Sequence, residues 1–172
     1  TTILINDILF GEVWLCGGQS NMAFTIKRVP GSGSYTGEIH ADKVLPEARH
    51  PNLRFITVKR KVADEPLDDI EADWKVCTPE TAAGDISAVS YFFALQIMEK
   101  TGLPVGLIGS NWGGTPAESW IKRAVLEGDP DFKPVLDRYQ KTVSNWGRIG
   151  SAYQTAYKAY QKKDSIAKAT HH

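Results

Sequence analysis

Short β-branched runs stopped by glycine, alternating with helical stretches, predict a doubly wound α/β fold for these 172 residues. Three observations carry that expectation. Val13, Trp14, Leu15 and Cys16 form a continuous apolar run closed by Gly17 and Gly18, the pattern of a strand buried on both faces of a parallel sheet. Residues 87–100 place Val89, Phe92, Phe93, Leu95, Ile97 and Met98 around a helical cylinder. After Gly102 as a stop and Pro104 as an opener, residues 105–109 read as another short buried strand.

The remaining elements follow from local chemistry. Residues 3–16 are β-branched in patches, and residues 19–24 open a helix after the glycines. Residues 29–37 are a loop by their Pro, Gly and Ser content. Residues 53–58 form a strand candidate and residues 74–77 a short extended piece, with an acidic, Pro-interrupted surface loop at 63–72 between them. Thr115, Pro116 and Glu118 fit a helix start as N-cap, first helical residue and capping-box acid. Phe132, Val135, Leu136 and Tyr139 have helical spacing. Residues 152–168 read as a long, solvated helix with Tyr153, Tyr157 and Tyr160 on one side. No internal repeat and no linker between independent domains is visible, so residues 1–172 are read as one domain.

Composition excludes several classes. Twenty basic and 20 acidic side chains cancel, which argues against a nucleic-acid or membrane-surface partner held by a basic excess. No stretch approaches the roughly 20 apolar residues of a membrane span. The opening residues lack the basic start of a signal peptide. Cys16 and Cys77 make neither a disulfide framework nor a CxxC pair; one disulfide between them stays open, and two buried thiols are the expected state.

Two glycine-bearing turns concentrate the chemistry. Ser20 and residues 111–114 each lie just past the carboxyl end of a predicted strand, the edge where parallel sheets bind ligands. A serine presented there, with backbone N–H groups close by, suits a nucleophile whose adduct develops an oxyanion. The same serine suits an ordinary helix N-cap, and Gly113-Gly114 suits a tight turn. Neither turn has the GxxxxGK[ST] pattern of a phosphate loop.

The wording of both blocks is more specific than their composition. Residues 11–22, Gly-Glu-Val-Trp-Leu-Cys-Gly-Gly-Gln-Ser-Asn-Met, resemble the nucleophile block of the sialate O-acetylesterases, SGNH hydrolases related to acetylxylan esterases. Residues 105–120, Val-Gly-Leu-Ile-Gly-Ser-Asn-Trp-Gly-Gly-Thr-Pro-Ala-Glu-Ser-Trp, are similar to that family's block for the oxyanion glycine. Residues 87–93 resemble the helix that precedes it. One departure is Gly17, where relatives often carry Ser.

The resemblance implies a three-layer α/β/α, flavodoxin-like sheet and a serine esterase acting on O-acetylated sugars without metal or cofactor. It implies Ser20 as nucleophile and oxyanion N–H, and Gly114 as the second donor with Gly113 as the alternative. Asn21 and Trp112 are the expected substrate contacts, with Trp120 a further stacking candidate. An acetylxylan-type esterase and a non-catalytic carbohydrate-binding module on the same fold are the other readings. The family's Asp-x-x-His and asparagine blocks are absent: residues three before His40, His50, His171 and His172 are Gly37, Glu47, Lys168 and Ala169. Glu47-x-x-His50 reads as a surface helix end. The chain is therefore expected to be the nucleophile-bearing half of an incomplete domain, inactive alone and partnered by the remainder of the esterase chain or a complementary fragment. A secreted or periplasmic location follows from the resemblance alone.

Overall fold

The computed structural model describes residues 4–28, 37–63 and 66–170. Ile3 of the first predicted strand, residues 29–36 of the predicted loop, Asp64 and Glu65 of the acidic loop, and His171 and His172 lie outside them. The chain divides into two compact units, Thr1–Thr115 and Pro116–His172.

The first unit is mixed α/β around a four-stranded open sheet. In chain order its strands are β1 (Glu12–Gly18), β2 (His50–Thr57), β3 (Lys75–Cys77) and β4 (Val105–Asn111). They lie side by side as β1-β4-β2-β3. The first three in that order are parallel, while β3 pairs antiparallel to β2 and departs from an all-parallel sheet. Its helices are α1 (Ser20–Ala23), α2 (Ala41–Glu47), α3 (Pro79–Gly84) and α4 (Ala88–Thr101).

Strand alternation builds the core. Leu53 and Phe55 of β2 stand beside Val105 and Leu107 of β4 in register, and all four are buried. Tyr91 and Ala94 of α4 join that cluster, with Ile26, Ala48, Ala82 and Ile86. Ser87 caps α4 by accepting from the Ser90 N–H, and left-handed Gly102 ends it. Thr78 and Thr81 form a reciprocal capping box at α3 that has no counterpart among the helix starts expected from sequence. Cys16 and Cys77 are separate, buried thiols.

Two expectations are corrected. The first strand is not buried on both faces: Val13 is 62% and Leu15 72% exposed, and only Cys16 of the run is buried. Among the described residues β1 is the terminal strand, paired with β4 alone. The capping box at Thr115 does not form either. Residues Ala117–Trp120 make a 3₁₀ turn without a side-chain cap, and Thr115 Oγ1 donates backward to the Trp112 carbonyl at 2.7 Å.

Glu47 ends α2 as a surface residue, but His50 turns inward. Its Nε2 lies 3.1 Å from the Tyr91 hydroxyl, and Cys77 is its register partner on β3. Burial holds the His50 pKa below its usual value and raises Cys77 to about 11 and Tyr91 to about 12. A histidine kept neutral in the folded state has a definite linkage sign. As pH falls below about 6.5, the unfolded chain takes up its proton first, and stability declines until the lower folded value is passed. Urea midpoints measured from pH 7.5 down to 5 are expected to fall, and His50→Gln is expected to flatten that slope.

The second unit is helical. Its helices are α5 (Arg123–Gly128), α6 (Lys133–Ser144) and α7 (Trp146–Thr170), with a 3₁₀ turn at Pro130–Phe132. In α7, Tyr153, Tyr157 and Tyr160 stack along one exposed side, with centroid spacings of 5.9 and 6.5 Å. Glu118 is paired with Arg138 at 3.2 Å. Among the described residues no helix is long and apolar enough to cross a membrane.

Candidate active site

Three parallel strands end at one edge of the sheet, and the segments leaving their carboxyl ends build the site. β1 runs to Gly18 beside Asn111 at the end of β4, and β2 ends with Thr57 beside Gly109. The Ser20 turn, the turn from Trp112 to Gly114 and the segment 58–60 therefore emerge together. They enclose an open cleft of about 870 Å³, with Ser20, Thr57, Arg60, Asp73, Asn111 and Gly113 among its walls. That volume accommodates a small ligand.

The first turn is dictated by its glycine. Gly18 has φ 146°, and a Cβ there would stand 2.9 Å from Met22 Cγ of α1. The chain then reverses at once into α1, where Gln19 holds the cap position without a side-chain cap bond and Ser20 is the first helical residue. The N-cap role for Ser20 is thus excluded. Its Oγ donates to Gln19 Oε1 at 2.9 Å.

The second turn faces it. A Cβ on Gly113 would meet Ser20 Cα at 3.4 Å and Ser20 Cβ at 3.5 Å, so the two turns are in van der Waals reach. Gly114 carries the left-handed φ of 82° and is not on the cleft wall. Two further bonds join the turns: Trp112 N–H donates to the Gly18 carbonyl, and Gln19 Nε2 donates to the Thr115 carbonyl, both at 2.9 Å.

Of the other expected residues, neither Asn21 nor Trp112 lines the cleft, and Trp120 belongs to the second unit. Asn111 and Arg60 stand on the wall instead, with Arg60 Nε donating to the Asn111 carbonyl at 3.2 Å. The wall's charge is mixed. Lys75 is paired with Asp85 at 2.8 Å and Lys59 with Glu71 at 2.6 Å, both exposed to solvent and worth little on their own. No histidine lines the cleft among the described residues. Gln19 is the site residue that sequence reasoning misses, because its second partner lies 96 positions away.

A serine at the end of a parallel strand, facing a glycine turn from the neighbouring strand, is an arrangement suited to acyl transfer through a serine nucleophile. Comparison with known proteins narrows that class. Residues 10–160 match the model of the carbohydrate esterase family of sialic acid-specific acetylesterases. The mouse sialate O-acetylesterase is 32% identical over 166 residues, and the human one 34% over 127 residues. These alignments cover 84% and 69% of this chain, but only 29% and 23% of the relatives. The chain thus spans less than a third of their length. A crystal structure of a carbohydrate acetylesterase from Xanthomonas citri superposes with a TM-score of 0.58 at 31% identity, covering 72% of this chain and 26% of that one. The chain belongs to the sialic acid-specific acetylesterase family of carbohydrate esterases.

Proposed function

We propose that this chain carries the nucleophile half of an esterase that removes O-acetyl groups from sugars, with O-acetylated sialic acids as its first substrates. The observation that carries the reading is the placement of Ser20 against Gly113 at adjacent parallel strand ends. Ser20 Oγ attacks the acetyl carbonyl carbon as its proton passes to a base. The tetrahedral oxyanion is held by the N–H groups of Ser20 and of the glycine turn. Contact with Ser20 favours Gly113 as that donor, with Gly114 supplying the left-handed bend behind it. The intermediate collapses to acetyl-Ser20, and the sugar leaves as its alcohol with the proton. Water then attacks the acetyl group, acetate departs, and Ser20 recovers its proton.

The base in this reading is a histidine oriented by a carboxylate, supplied from outside the described residues. Two facts support this: no described histidine reaches the cleft, and the relatives are more than three times longer. The exposed apolar side chains of β1 suit a face that the remaining part of such a domain covers. Thr57, Arg60 and Asn111, rather than Asn21 and Trp112, are the proposed sugar contacts. A secreted or periplasmic location belongs to the same proposal and rests on the resemblance.

Acetate release tests it. The full-length protein is expected to deacetylate O-acetylated N-acetylneuraminic acid faster than acetylated xylo-oligosaccharides. The 172-residue chain alone is expected to show no Ser20-dependent turnover of p-nitrophenyl acetate. Absence of acetate from every sugar would overturn the esterase reading, and a preference for xylan would overturn its sialate part.

A further inference from the structure

We propose that Gln19 is a positioning residue that clamps the nucleophile turn to the oxyanion turn, an inference that rests on the esterase reading above. Its side chain stands at the cap position of α1 yet makes no cap bond. It spans the two turns instead, with Oε1 accepting from Ser20 Oγ and Nε2 donating to the Thr115 carbonyl, each at 2.9 Å. The amide orientation is dictated by the partners. A backbone carbonyl only accepts, so the NH₂ group faces Thr115, the oxygen faces Ser20, and the serine hydroxyl is the donor.

These bonds close a ring. The Trp112 N–H holds Gly18 at one end of the paired turns, and Gln19 holds Thr115 at the other. Inside the second turn, Thr115 Oγ1 bonds the Trp112 carbonyl, so Gly113 and Gly114 are bracketed by residues tied both to each other and to the first turn. Sliding the glycine turn away from Ser20 therefore breaks the Gln19 bond to Thr115. With no described histidine at the cleft, the same amide accepts the Ser20 hydroxyl hydrogen and sets its rotamer; once the base takes that hydrogen, the Nε2 bond to Thr115 is the part of the clamp that persists. A planar amide does both jobs at once. A carboxylate accepts from Ser20 but repels the Thr115 carbonyl, and an aliphatic side chain of the same length does neither.

The test uses the full-length protein with Gln19→Leu and Gln19→Glu. Gln19 is exposed, so neither change disturbs the core. Gln19→Leu is expected to lower kcat for an O-acetylated sugar by roughly 10–100-fold, with KM within about twofold, as a small misplacement of reacting groups does. In Gln19→Glu, protonation of the new carboxyl restores a donor to Thr115. The ratio of its kcat to that of the native protein is therefore expected to rise as pH falls toward the carboxyl range, about 4.3. An unchanged kcat in Gln19→Leu, or a ratio flat in pH, overturns the clamp. A second readout is independent of turnover: in ¹⁵N spectra, Gln19→Leu is expected to shift the Gly113 and Gly114 amide peaks. If the native protein releases no acetate from any sugar, the esterase reading has failed. The spectra then decide the clamp alone, moved glycine peaks supporting it and unmoved ones overturning it.

Discussion

Full-length protein carrying Ser20→Ala is expected to release acetate from O-acetylated sugars roughly 10⁴–10⁶-fold more slowly than the native protein, the scale seen when the nucleophile of a catalytic triad is removed. The residual rate is what binding and oxyanion donors provide without covalent chemistry. The substitution deletes one hydroxyl whose hydrogen bond is to Gln19 Oε1, so folding and the thermal midpoint are expected to stay close to native values. Intact-mass measurement gives a second check. A fluorophosphonate probe is expected to add one adduct to the native protein, located on the peptide containing Ser20, and none to the variant. An adduct at another serine, or turnover within tenfold of native, would show that the cleft is not the reacting centre. A native protein that neither releases acetate nor takes up the probe would instead favour the reading of this fold as a non-catalytic carbohydrate-binding module.

Ser20 and the glycine turn are legible from sequence because each belongs to a local block with unusual wording. The strands ahead of them, and the helix at residues 87–100, are legible because glycine and proline punctuate apolar runs at short range. The hidden features are decided at long range. The run from Val13 to Cys16 reads as a doubly buried strand, yet burial depends on what lies beside it, and β1 is a terminal strand among the described residues. Thr115, Pro116 and Glu118 have the local chemistry of a capping box, but the turn that forms has Pro116 at its cap position, Thr115 Oγ1 donates back to the Trp112 carbonyl, and Glu118 pairs with Arg138. Local propensity names the right residue types there, while a local turn takes the Thr115 hydroxyl and a partner 20 positions away takes Glu118. Arg60 carries no motif at all, and Asn111, though inside the block at residues 105–120, is not marked there as a site residue. They reach the cleft because β2 and β4 end in register, a fact of pairing and not of spacing.

The pairing of β1 with β4 makes Gly11, the glycine that leads into β1, the second position of large expected effect. Its backbone passes so close to β4 that a Cβ would fall 2.0 Å from the Pro104 carbonyl oxygen and 2.7 Å from its carbon. The neighbouring bond, Glu12 N–H to that same oxygen at 3.0 Å, starts the β1–β4 ladder that continues to Gly18 opposite Asn111. The obstruction is backbone on both sides, so no side-chain rotation relieves it. Gly11→Ala must push the strand entrance apart, at a cost of about 1–3 kcal/mol or more by the measure of overpacked sites. The expected result is a clear drop in the denaturant midpoint of the first unit. Activity is expected to fall further than stability alone explains, because the same ladder sets the height of Ser20 against Gly113. A displacement near 1 Å between reacting groups can cost roughly 100-fold in rate. A Gly11→Ala protein with native midpoint and native acetate release would mean that β1 enters the sheet at a different height. In that case the contact between Ser20 and Gly113 would not depend on this strand pair.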